Sequence, residues 1–173
     1  MGNFKYIIGF FLYILLQQYL FNSLTIFDIA TPFIFLIYLL LLPLSIKFSW
    51  TIIIAFVMGL SIDLLSYSIP DGLHSFAAVA ITGLRQSWIR VTNPTVNFSG
   101  KENFTFSQQS MNWFVIYLSP LLLFHHTIYF VLDAFSSPGF WWVILRIITS
   151  FIYTLLSSLV IVFLFYHKAK GYR

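Results

Sequence analysis

Apolar and polar positions follow one another along this chain in long blocks. From Phe4 to Phe21 the chain is almost wholly apolar, and Asn22-Ser23 ends the run. Further apolar blocks cover about Ala30 to Ile46, Trp50 to Leu65, Gly72 to Trp88, Trp113 to Asp133 and Phe140 to Tyr166. The breaks are Ser66-Tyr67-Ser68-Ile69-Pro70-Asp71, a polar loop from about Ser87 to Asn112, and Ser136-Ser137-Pro138-Gly139. Blocks of this kind match the roughly 20 residues that cross about 30 Å of hydrocarbon as a helix. The pattern predicts an all-α membrane protein, six transmembrane helices in a single polytopic domain over residues 1–173. The second, third and fourth blocks are short, so five spans is the alternative.

Composition points the same way. The chain is 60% hydrophobic and 8% charged, where soluble domains run nearer a quarter charged. Lipid is the solvent that so much apolar surface requires. With no cysteine, neither a disulfide framework nor a thiolate metal site is available. Bulky residues continue to Leu20 with no small-residue cleavage site, so the first span is expected to be retained.

Charge chooses between five spans and six. With six, Lys5, Lys47, Arg85, Arg90, Lys101, Lys168, Lys170 and Arg173 share one side, while Asp28, Asp71 and Asp133 lie on the other with Asp63 close by. Basic loops stay cytoplasmic, which places both termini there and leaves Arg146 as the exception. The formal charge of +4 thus reports topology rather than nucleic-acid binding.

Candidate chemistry is sparse. There is no H-E-x-x-H, no G-x-S-x-G and no Gly-rich phosphate loop, so neither catalysis nor a cofactor is expected. His125 and His126 are adjacent and would point about 100° apart on a helix, which suits hydrogen bonds across the bundle better than a shared metal. Asp63 near the outer end of span three and Arg146, about 9 Å along span six, sit at similar depth. Ionisable groups in lipid tend to pair, so the two are expected to interact, with Asp133 the rival partner for Arg146. A polar site for a lipid headgroup or a partner helix is the functional alternative. Asp71-Gly72-Leu73-His74 opens span four, with Asp71 placed to cap it. Ser75, Ala78 and Thr82 then form a small-residue face for close packing. Gln17, Gln18 and Asn22 end span one, either bonding a neighbouring helix or reaching the interface. Trp88, Arg90, Phe98, Lys101, Phe104 and Phe106 give the long loop a mixed aromatic and basic character suited to anionic headgroups or a cytoplasmic partner. The glycosylation-type triplets at Asn97 and Asn103 fall in that loop and carry no weight on a cytoplasmic face.

Two blocks resemble the rod shape-determining membrane protein MreD. The first is Gln18-Tyr19-Leu20-Phe21-Asn22-Ser23-Leu24, then Pro32-Phe33-Ile34-Phe35-Leu36 and Leu41-Leu42-Pro43. The second is Gly59-Leu60-Ser61-Ile62-Asp63-Leu64-Leu65-Ser66, followed by Gly72-Leu73-His74-Ser75-Phe76-Ala77-Ala78. Together they cover about the first half of the chain. The second half is similar only in length, hydropathy and its late pair of spans. The resemblance implies a non-catalytic scaffold of the bacterial cell-elongation machinery in the inner membrane. Its partner would be MreC, with MreB, RodA and the penicillin-binding partner of RodA in the same assembly. A homodimer stays open. It also implies a fold similar to the six-helix substrate-binding component of energy-coupling-factor vitamin transporters, which is the alternative function. That alternative asks for an Ala-x-x-x-Ala docking face in span one, where this chain has Ile8-Gly9-Phe10-Phe11-Leu12.

Overall fold

The computed structural model describes residues 4–27, 29–66, 72–94, 106–134 and 139–165. Among the described residues the chain is almost entirely helical and has no β-strand. Helix α1 is Phe4–Leu15, extended by a wide π-helical turn at Leu16–Phe21 and a tight 3-10 turn at Asn22–Leu24. The remaining α-helices among the described residues are α2 Phe35–Leu40, α3 Phe48–Leu65, α4 Leu73–Thr92, α5 Met111–Asp133 and α6 Phe140–Phe165, with a short 3-10 turn at Phe106–Gln108 before α5. Among the described residues, four stretches are long and apolar enough to cross a membrane: Phe4–Leu24, Phe48–Leu65, Met111–Asp133 and Phe140–Phe165.

The two remaining predicted spans differ from expectation, each for a physical reason. The block Ala30 to Ile46 is not a continuous helix. Pro32 disfavours helical geometry at Thr31, and Pro43 has no N–H to extend the far end, so only Phe35–Leu40 is helical. At 1.5 Å per residue that helix is about 9 Å long. Every residue from Pro32 to Ile37 and from Leu39 to Leu42 is buried. The block is apolar because protein surrounds it on all sides. Helix α4 is long enough, at about 30 Å, but carries His74, Ser75, Thr82 and Arg85 among its buried residues. Its polar groups face the bundle, so its composition falls below that of a lipid-facing span. It also runs to Thr92, four residues past the predicted end at Trp88.

Helix α6 shows the opposite arrangement from a soluble helix. Its buried residues are Ser150, Thr154, Ser158 and Val162, one per turn, while Trp141, Ile152, Leu156 and Phe163 are exposed. A polar stripe faces in and an apolar face points out, as lipid requires.

Contacts between helices give their directions. His74 lies against Tyr129 and Arg85 against Tyr117, so α4 and α5 are antiparallel. Asp133 meets Arg146 and His126 meets Thr154, so α5 and α6 are antiparallel too. Gln18 of the α1 extension reaches the end of α3 at Ile62, and Thr154 of α6 reaches Phe33 just before α2. Helices α1, α3 and α5 therefore run toward one end of the bundle, and α2, α4 and α6 run away from it. We call these the Asp63 end and the Arg85 end.

Candidate functional site

Two sets of buried polar groups lie toward opposite ends of the bundle, and each engages the backbone at a helix terminus. At the Asp63 end the key contact joins α3 to the start of α4. Gly72 occupies the N-cap position of α4 with a φ of 70°, a left-handed conformation that glycine adopts without strain. With no side chain there, the first N–H groups of α4 need another acceptor. Asp63 supplies it from the neighbouring helix. One carboxylate oxygen accepts from the His74 backbone N–H at 3.1 Å and lies 2.8 Å from His74 Nδ1. The other accepts from the Ser75 N–H at 3.1 Å and from Ser75 Oγ at 2.9 Å. Because a carboxylate only accepts, Nδ1 of His74 carries the proton. The negative charge also meets the positive end of the α4 dipole.

Gly59, one turn before Asp63, makes this approach possible. A Cβ there would stand 2.5 Å from Ser75 Cα and 2.6 Å from its N. Only hydrogen fits where the two backbones meet. Gly59 and Asp63 thus act together, one allowing the contact and the other holding it.

Beside this junction the segment from Thr25 to Ile34 closes the same end of the bundle as a strap. Its backbone is held by side chains from other elements. Thr31 N donates to Ser150 Oγ at 3.0 Å, and Phe33 N donates to Thr154 Oγ1 at 2.9 Å. Gln17 is buried; its carbonyl oxygen accepts from Ile34 N at 2.7 Å, and its amide donates to Pro32 O at 3.0 Å and Asn22 Oδ1 at 2.8 Å. The Phe33 ring sits among His74, His125, His126, Tyr129 and Phe130, with centroids 5.0 to 6.1 Å away. His126 Nδ1 lies 2.7 Å from Leu122 O and so donates to it; Nε2, 3.0 Å from Thr154 Oγ1, accepts the hydroxyl proton. His125 is fully buried, and its ring nitrogens have no hydrogen-bond partner among the described residues. Gln18 donates to Ile62 O at 2.8 Å, which joins the end of span one to α3, and accepts from Asn22 Nδ2 at 2.8 Å, so the Asn22 side chain bonds back within its own segment.

At the other end stands Arg85, the largest fully buried side chain among the described residues. Its Nε donates to Leu40 O at 3.0 Å and approaches Tyr117 Oη at 3.3 Å, while Nη2 donates to Leu42 O. Tyr117 Oη donates to Leu40 O at 2.8 Å. A cation thus meets the open carbonyls at the C-terminus of α2, where the dipole is negative. Phe106 covers the guanidinium at 5.8 Å, and Trp88 Nε1 donates to Tyr117 O at 3.1 Å. The short helix α2 is therefore secured at both ends by side chains from the α1 extension, α4, α5 and α6.

The expected pair of Asp63 and Arg146 does not form. Asp63 is engaged by α4, and Arg146 Nη1 donates instead to Asp133 at 2.6 Å while its guanidinium lies 4.6 Å from the Phe130 ring. The reason is local: Asp133 and Arg146 face each other across the α5–α6 hairpin at partial exposure, whereas Asp63 is closest to the polar start of α4. Asp71 lies outside the described residues, as do Lys101, Phe98, Phe104, Asn97, Asn103 and the chain after Phe165. Asp63 accepts from the first N–H groups of α4. Ala78 is buried with Ser75 and Thr82, while Gly83, on the neighbouring side, has open space around it.

Reasoning from sequence missed Arg85 as a buried group, because it was counted among basic residues flanking a span. The signal was present: Ser75, Ala78, Thr82, Arg85 and Ile89 continue one buried face at steps of three and four. No family model, curated protein or solved structure matches the chain.

Proposed function

We propose that this chain is a membrane scaffold of the bacterial cell-elongation machinery, similar to MreD, and that it acts by holding MreC. One observation carries the reading. The most distinctive residues of the resemblance, Gly59, Asp63, Gly72 and His74, meet in a single junction that locks α3 to α4. Their spacing in the sequence thus has a tertiary purpose, which is to fix helix geometry. The contacts of the Asp63 carboxylate go to α4, so the group is spent on rigidity. A rigid frame with apolar outer faces suits a protein whose task is to position other membrane proteins.

In this reading the chain crosses the bacterial inner membrane six times with both termini in the cytoplasm. The alternating directions of the six helices support it. So does the separation of Lys5, Lys47 and Arg90 at the Arg85 end from Asp63 and Asp133 at the other. Within a wider assembly, MreB, RodA and the penicillin-binding partner of RodA would be neighbours.

Depletion in a rod-shaped host tests the reading, with rounded cells expected. Rods of normal width under full depletion overturn it. Recovery of the chain in mild detergent should bring MreC with it. ATPase subunits in its place would shift the function to a substrate-binding component of an energy-coupling-factor transporter.

A further inference from the structure

Three histidines share the ring cluster under the strap, and each disposes of a proton differently. His74 Nδ1 lies 2.8 Å from Asp63, so a second proton on this ring would be offset by the carboxylate. A second proton on His126 would sit on Nε2, 3.0 Å from Thr154 Oγ1, whose oxygen can accept it. His125 has neither outlet. It is fully buried, and neither ring nitrogen has a hydrogen-bond partner among the described residues. Its ring packs against Phe33 at 5.6 Å, Phe35 at 5.9 Å, His126 at 5.6 Å and Tyr129 at 6.3 Å.

An imidazolium in this place would hold two N–H donors with no acceptor, a costly arrangement away from water. The titratable groups around it, among the described residues, are His74 of α4 with Asp63 of α3 beyond it, and His126 and Tyr129 of α5. Asp63 is already engaged by His74 and Ser75. The strap and α2 bring the rings of Phe33 and Phe35, and α6 brings Thr154, while Arg146 is turned to Asp133. The element that covers His125 is the strap, held to the bundle by hydrogen bonds to Ser150, Thr154 and Gln17. We propose that His125 is a proton sensor that makes the strap acid-sensitive. A proton on its ring favours a form in which Phe33 has left the cluster and water reaches the imidazolium. Histidine suits this task because its charge changes between about pH 5 and 8.

The sensor stands independently of the scaffold reading. A proton that binds only the open form shifts the population toward it by mass action. With an ordinary imidazole value of about 6.5 in the open form, opening gains about thirtyfold between about pH 7.5 and about pH 5. The test is thiol labelling of the full chain in detergent at those two pH values. Ala30→Cys reports on the strap, because Ala30 is buried; Phe27→Cys, in the same turn and exposed, corrects for the pH dependence of the thiol itself. The ratio of the two rates should rise by about tenfold or more in acid. With His125→Leu added to both, the ratio should change by less than about twofold. Melting of that variant at neutral pH should hold or rise, since leucine leaves no buried nitrogen unpartnered. His125→Met serves as the second replacement if the leucine variant does not fold. A ratio that stays flat in the chain with His125 intact overturns the sensor. So does an acid rise that survives the replacement of His125, because another group would then carry the proton.

Discussion

Asp63 shows how one residue can secure two helices. Asp63→Asn presents an amide N–H₂ to N–H donors of α4, leaving at least one donor without an acceptor. A loss of about 1–3 kcal/mol is expected, read as a lower melting temperature in detergent. The paired exchange Asp63→Arg with Arg146→Asp should not recover stability, because the two side chains belong to different junctions. Recovery to the parent value would mean that they meet after all. Arg146 and Asp133, each about a quarter exposed, should contribute under about 1 kcal/mol, visible as a small effect of Asp133→Asn. Arg85 is the stronger case. Arg85→Lys keeps the charge but replaces a planar fork by a single ammonium, which cannot reach Leu40 O and Leu42 O in the same way. It should destabilise nearly as much as Arg85→Met, and parent-like melting of the lysine variant would contradict this account. At this scale the sequence was half legible. An acid in an apolar span had to have a partner, and Asp63 stood out for that reason. Which partner was decided by the start of α4, eleven residues later, lying against α3, and no spacing rule links Asp63 to His74.

Glycine decides how closely the elements approach. Gly59→Ala would drive a methyl group into the Ser75 backbone, and backbone cannot rotate away as a side chain can. The cost should be about 1–3 kcal/mol, as for overpacking in a core. Gly83→Ala provides the contrast, since nothing lies within 4 Å of the added atom. There the helix gains roughly 1 kcal/mol of propensity, so thermal stability should rise. Equal effects of the two substitutions would show that the α3–α4 contact is looser than described. The long elements were legible because apolar length is a direct demand of lipid. Helix α2 was not, because Pro32 to Leu42 is as apolar as a span, and apolarity alone does not separate a helix in lipid from a strap and half-helix buried in protein. The polar loop was misjudged at both edges for a related reason. Residues up to Thr92 continue α4, and Phe106 is a buried ring over Arg85.

For the whole molecule the central expectation is topology. The absence of cysteine makes single-cysteine labelling clean. In intact cells a membrane-impermeant maleimide should modify Phe27→Cys and spare Val91→Cys until the membrane is opened; both sites are exposed, at 88% and 66%. Equal labelling of the two from outside would defeat the alternating arrangement. A reporter active only outside the membrane, fused after Arg173, should stay silent. The polar contacts at the Asp63 end also have a bearing on how the protein is made. The strap before α2 has amide groups at Thr31 and Phe33 that donate to Ser150 and Thr154, 119 and 121 residues further along the chain. Hydrocarbon offers those amides nothing in exchange. At ribosomal speeds of about 5–20 residues per second, their acceptors emerge roughly 6–24 s later. During that interval the first third of the protein cannot take its final form in lipid. It must wait near the translocation channel or at the water boundary, and α6 completes the fold as the last piece to arrive. A chain released early, without α6, should therefore be treated by the cell as damaged and degraded, even though its earlier helices are intact in sequence.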